Sequence, residues 1–133
     1  MHSSIKLTFV LFILSILTSC DSTFEQDNIP YKPFDNIVIN LINIQYFDLT
    51  TKGYMEIEGG VKGIILYKSS ATEYFAYERN CSYLPFSTCA KVEIDASGLF
   101  MTDPCCGSQF SLANGFPTGG DATLPLRRYL TIL

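Results

Sequence analysis

Tyr54-Met55-Glu56-Ile57-Glu58-Gly59-Gly60-Val61-Lys62-Gly63-Ile64-Ile65-Leu66-Tyr67 is the stretch that decides the fold class. Its first five residues alternate. On an extended chain Met55 and Ile57 fall on one face, Glu56 and Glu58 on the other. Gly59-Gly60 turns the chain. Ile64-Ile65-Leu66 is a continuous apolar run of the kind that fills a buried strand. Strand, glycine turn and strand in succession predict an antiparallel pair.

The pattern continues outward. Ser69-Ser70-Ala71-Thr72 is a turn, and Tyr74 to Glu78 pairs back as the next strand. Lys91 to Asp95 alternates, and Ala96-Ser97-Gly98 turns it into Leu99-Phe100-Met101. Gln109 to Leu112 enters the tight turn Ala113-Asn114-Gly115, and the chain closes with Leu124-Pro125-Leu126 and a strand from Arg127 to Ile132. Upstream, Ile37 to Ile44 is rich in β-branched residues and reads as a further strand. Gly59-Gly60 and Gly119-Gly120 are turn glycines and not phosphate cradles, because neither opens a helix. Outside the N-terminal apolar run, no stretch holds a helical period for ten residues. About nine short strands with turns every 8 to 12 residues predict an all-β domain over 36–133, an antiparallel sandwich or small barrel. A chain of 133 residues that is 47% apolar and 17% charged suits one such domain with a packed core.

The N-terminus has a different character. Lys6 precedes an apolar run from Leu7 to Leu17, too short to span a bilayer and fitting the core of a secretory signal peptide. Leu17-Thr18-Ser19-Cys20 resembles a bacterial lipobox. That likeness implies removal of 1–19, acyl chains on Cys20, and a protein anchored in the bacterial cell envelope with the membrane as a partner. Residues 20–35 carry acidic side chains and the breakers Pro30 and Pro33, and read as a flexible tether. With Lys6 lost alongside the leader, eight basic residues face all 13 acidic ones, a net charge of −5. That disfavours nucleic acid as a partner. The only histidine, His2, also leaves with the leader. The mature chain therefore has no histidine for a nucleophilic triad and no imidazole for a metal.

The remaining four cysteines occupy two loops, Asn80 to Cys89 and Asp103 to Ser108. In an exported chain that implies that the loops touch. Four cysteines allow three pairings.

Cys81-Ser82-Tyr83 in the first loop and Asp103-Pro104-Cys105-Cys106-Gly107-Ser108-Gln109-Phe110 in the second resemble the Rieske iron–sulfur family. Its pattern is Cys-x-His, then Cys-x-x-His-Gly-Ser-x-Phe/Tyr. The turn at Gly115, then Gly119-Gly120-Asp121-Ala122, Pro125-Leu126 and Tyr129 extend the likeness over 36–133. The resemblance implies a Rieske-like antiparallel fold with a two-loop cysteine-bearing subdomain. Its four ligand positions fall on Cys81, Tyr83, Asp103 and Cys106, and only Cys81 keeps the family's residue type. Tyr83 would have to ionise from a pKa near 10 to bind, and Asp103 is a hard oxygen donor poorly matched to a sulfide cluster. The expectation is a degenerate site with no metal and no cofactor.

Cys89 and Cys105 lie at or near the positions of the family's loop-joining disulfide, so the resemblance implies a Cys89–Cys105 bridge. A second bridge, Cys81–Cys106, would occupy the former ligand positions, with swapped partners as the runner-up. An oxidising envelope permits such bonds, and closing a loop of about 15 residues is worth roughly 3 kcal/mol. Ser108, which in the family bonds a cluster sulfide, reads here as a cap on the loop backbone. Asp103 before Pro104 reads as a turn former, and Tyr83 as a packing residue.

The functional expectation is a non-enzymatic envelope lipoprotein, a binding or accessory module for another envelope protein, held by disulfides and without catalytic residues. The alternatives are an electron-transfer protein carrying a [2Fe-2S] cluster on atypical ligands, and thiol–disulfide exchange through Cys105-Cys106. No basic residue stands beside that pair in sequence to lower a thiol pKa.

Overall fold

The computed structural model describes residues 29–133. The leader and the lipidation position Cys20 lie outside the described residues. The strands in chain order are β1 (Tyr54–Ile57), β2 (Ile64–Lys68), β3 (Tyr74–Glu78), β4 (Glu93–Ile94), β5 (Phe100–Thr102), β6 (Gln109–Ser111), β7 (Pro117–Gly119) and β8 (Arg128–Tyr129). They form two antiparallel four-stranded sheets, ordered β1-β2-β3-β8 and β4-β5-β6-β7. A five-residue helix, α1 (Phe47–Thr51), precedes β1. The fold is therefore mostly β, as the turn-and-strand rhythm predicts. Of the two expected architectures the closed barrel is absent among the described residues, since each sheet is open at both ends.

The burial pattern explains why Ile64-Ile65-Leu66 does not alternate. Side chains along a strand point to opposite faces, and this sheet is covered on both. Ile65, Phe75 and Tyr77 face a core shared with Met101 and Phe110 of the second sheet. Ile64, Leu66 and Ala76 face the other way, onto Leu49 of α1, with Met55 and Ile57 packed alongside. Tyr77 is fully buried, and its hydroxyl donates to the Leu112 carbonyl at 3.0 Å. Burial pushes the Tyr77 phenol up to about 12.

The Gly59-Gly60 turn has an internal anchor. Glu78, at the end of β3, is fully buried. Its carboxylate accepts from the backbone N–H groups of Val61, Lys62 and Asn80 at 2.7 to 3.0 Å and from the Tyr129 hydroxyl at 2.6 Å. Gly60 has φ +60, and a Cβ there would sit 2.1 Å from Glu78 Oε2. Only glycine lets the backbone come this close. Arg79, next along the chain, donates to the Val92 carbonyl and pairs with Glu56 on β1.

One expected strand does not form. Ile37 to Ile44 is irregular and leads into a 3-10 turn at Ile44–Tyr46. Val38, Ile42 and Ile44 are 81% or more exposed. Asn40 and Asn43 hydrogen-bond backbone N–H groups two residues ahead, which offers the chain a turn in place of a ladder. No described strand pairs with it. Conversely, β7 carries no strand signal, being Pro-Thr-Gly, and forms because β6 pairs with it. Lys91 to Asp95 keeps only Glu93–Ile94 as ladder, with Lys91 in an isolated bridge to Asn80, and the final strand shortens to Arg128–Tyr129.

The C-terminal end of the expected tether lies against the domain. Ile29 is buried, its carbonyl accepts from Arg127 Nη2 at 3.0 Å, and the Phe34 ring meets Tyr129 edge-on at 5.0 Å. No described helix is long and apolar enough to cross a membrane.

Candidate functional site

Three connections converge at one end of the shared core: the β3–β4 loop with Cys81 to Cys89, the β5–β6 loop with Asp103 to Ser108, and the β7–β8 segment with Ala122 and Leu124. The β5–β6 loop is a tight turn. Asp103 N–H donates to the Ser108 carbonyl and Gly107 N–H to the Asp103 carbonyl, both at 2.8 Å. Asp103 Oδ1 accepts from the Cys105 N–H at 2.8 Å, the short-range bond by which aspartate sets turns. The β3–β4 loop folds on its own carbonyls. Lys62 Nζ reaches in from the β1–β2 turn and donates to the carbonyls of Ser87 and Ala90 at 2.6 Å each.

The loops touch, as confinement of the cysteines to them implies. Cys89 and Cys105 form a disulfide, with Cα atoms 5.8 Å apart. This is the pairing that the family resemblance implied. The second expected bridge is not formed: Cys81 and Cys106 are free thiols. Cys81 is fully buried. Burial raises its pKa far above the usual thiol value, the Asp103 carboxylate beside it acts in the same direction, and the Tyr83 backbone N–H at its sulfur only partly offsets them. Cys106 is half-buried, and its Sγ lies 3.1 Å from Ser108 Oγ, to which it donates.

Ser108 is fully buried, and its hydroxyl also accepts from the Ala122 N–H at 3.0 Å. It thereby fastens the β5–β6 loop to the β7–β8 segment. Gly120 allows that contact, since a Cβ there would lie 2.5 Å from Ser108 Cα. Ser82 Oγ donates to the Leu124 carbonyl at 2.6 Å and ties the first loop to the same segment. Tyr83 is half-buried and packs against the shared core.

Of the four family positions, the structure gathers three. One ligand-type atom from each of Cys81, Asp103 and Cys106 lies within 4.8 Å of the other two. Asp103 is fully buried, and its Oδ2 has no hydrogen-bond partner. Asn80 is likewise buried, with neither side-chain amide atom partnered. Sequence reasoning places Asp103 as a turn former and misses its second oxygen. It also misses Glu78 and Lys62, because their partners, the Asn80 N–H apart, lie 16 to 51 residues away.

The gathered donor set does not fit a Rieske-type cluster. Such a cluster takes two donors on each of two irons, imidazoles on one of them. Here two thiols and one carboxylate converge, without an imidazole. Two surface hollows lie apart from these loops, one along Arg128–Thr131 and one beside Lys52, Tyr54 and Ile94.

No family model, no curated protein and no solved structure matches the chain.

Proposed function

We propose that this chain is a lipid-anchored protein of the bacterial envelope whose β domain is a relative of Rieske domains that has given up the two-iron cluster. It acts as a non-enzymatic binding or accessory module for another envelope protein. The observation that carries this reading is the disulfide Cys89–Cys105 between the two cysteine loops, set beside ligand positions that hold Cys81, Tyr83, Asp103 and Cys106. The loop-to-loop clamp of the family is present in kind, while the residues that would grip iron through nitrogen are not. The leader-like segment ending at Cys20 supports the anchor, and the acidic balance of the chain supports a protein partner over a nucleic acid.

Two measurements test it. Mass spectrometry of the full chain from membranes should find an N-terminus at Cys20 bearing acyl chains, and Cys20→Ala should move the protein to the soluble fraction. The purified protein should be colourless. An unmodified N-terminus upstream of Cys20 would remove the anchor. A brown protein with two irons and labile sulfide would restore the electron-transfer alternative.

A further inference from the structure

Asp103 Oδ2 is among the buried polar atoms without a hydrogen-bond partner. Burying a carboxylate oxygen that no N–H or O–H answers is costly, and beside this carboxylate stands only the weak donor of the Cys81 thiol. One oxygen of Asp103 lies within 4.8 Å of the sulfurs of Cys81 and Cys106, which lie as close to each other. We propose that Cys81, Asp103 and Cys106 bind a single zinc ion, with a solvent molecule completing a tetrahedron.

The donor set selects the metal. Magnesium and calcium take oxygen ligands only, whereas two sulfurs and one oxygen suit zinc, which binds thiolate at about 2.3 Å and carboxylate at about 2.0–2.2 Å. In a tetrahedron those bond lengths separate the donor atoms by roughly 3.6–3.8 Å. The three atoms, already within 4.8 Å of one another, need to close by only about 1 Å. Three protein ligands leave one position open, and the half-buried Cys106 side is where solvent reaches it.

Charge also balances. Binding forms two Zn–S bonds and one Zn–O bond and breaks two S–H bonds, the protons leaving to water. Two thiolates and a carboxylate around a dication carry one net negative charge. Lys62, whose ammonium is held on the Ser87 and Ala90 carbonyls of the Cys81–Cys89 loop, supplies the matching positive charge. The ion would join the two loops a second time, in parallel with the disulfide. The proposal rests neither on the lipid anchor nor on the Rieske likeness.

The test uses the full chain, purified in mild detergent without chelator or reductant. Metal analysis should find about one zinc per chain. Replacement by cobalt should give the thiolate charge-transfer and intense visible bands of a tetrahedral site. Asp103→Asn keeps an acceptor for the Cys105 N–H and should fold, yet weaken zinc binding. Cys106→Ser should weaken it by more than about a hundredfold, beyond what the loss of an outer-shell partner costs. Leu49→Ala, in the separate apolar cluster on the other face of the first sheet, should leave zinc content unchanged, so a general loss of stability is told apart from loss of a ligand. Zinc below a tenth of an equivalent in folded wild type would overturn the proposal. So would a Cys81–Cys106 disulfide in non-reducing peptide maps, or zinc retained in full by both Asp103→Asn and Cys106→Ser. A colourless, zinc-free, lipidated protein would sink this proposal alone and leave the proposed function standing. A two-iron chromophore would sink both.

Discussion

Two carboxylates are fully buried among the described residues, and they are partnered in opposite ways. Glu78 accepts three backbone N–H groups and one hydroxyl, so both of its oxygens are occupied. Asp103 accepts one backbone N–H on Oδ1, and its Oδ2 has none. Glu78 sits where a glycine turn wraps around it, and Asp103 where two loops meet at sulfur. The difference separates a carboxylate whose work is complete in the isolated chain from one whose coordination is open. Burial alone does not distinguish structure from function. An unsatisfied oxygen on a buried carboxylate calls for an explanation that a fully satisfied one does not.

That contrast can be broken by substitution. Glu78→Ala strips the acceptor from four donors at once and is expected to cost about 3–5 kcal/mol in urea denaturation at neutral pH. A cost below about 1 kcal/mol would show that the turn holds without the carboxylate. Next in size is loss of the Cys89–Cys105 bridge, which closes a separation of 16 residues. The paired change to alanine is expected to cost about 3 kcal/mol. It should loosen the loop pair while leaving amide exchange of the Glu78 turn unchanged. Exchange that rises equally in both regions would merge them into one cooperative unit.

Tyr129→Phe sharpens the comparison from the other side. It removes one donor from Glu78 and should cost about 1 kcal/mol. It also acts on the alkaline limit. Tyr129 is raised above the ordinary tyrosine value, first by burial and then by its bond to Glu78. Tyr77 is raised to about 12 by burial. A phenol that holds its proton more tightly when folded contributes stability that is complete below about pH 10 and is lost as pH rises through the folded value. Melting followed from pH 9 upward should therefore fall, with a shallower slope in Tyr129→Phe. An unchanged slope would place the titration elsewhere. The smallest effect is expected of Asp103→Asn in metal-free protein, below about 1 kcal/mol, because the change keeps the Oδ1 bond to the Cys105 N–H and strips no donor of its acceptor. A loss as large as that of Glu78→Ala would erase the distinction between the two residues.

The first sheet was the most legible part of the sequence. Tyr74 to Glu78 forms β3 with the expected bounds, and Met55 and Ile57 share a face as their spacing requires, because local alternation and burial agree there. Ile37 to Ile44 looks as strand-like as β2, but a ladder needs a neighbour, and the side chains of Asn40 and Asn43 bend the chain first. β7 was illegible for the converse reason: its ladder comes from β6 and not from its own Pro-Thr-Gly. At the cysteine loops, the sequence announced proximity and, through the family likeness, the Cys89–Cys105 pair. It could not announce that Cys81 would stay a buried thiol or that Asp103 would keep an oxygen free. Both depend on which groups the two loops bring face to face.

The contact of Arg127 with the Ile29 carbonyl has a mechanical consequence. It fastens the incoming chain to the residue just before β8, at the edge of the first sheet. Under the proposed anchor at Cys20, the stretch of nine residues from there to Ile29 could span no more than about 30 Å. A pull along it would load the Arg127 clasp and the β3–β8 seam before any tension arrived at the cysteine loops.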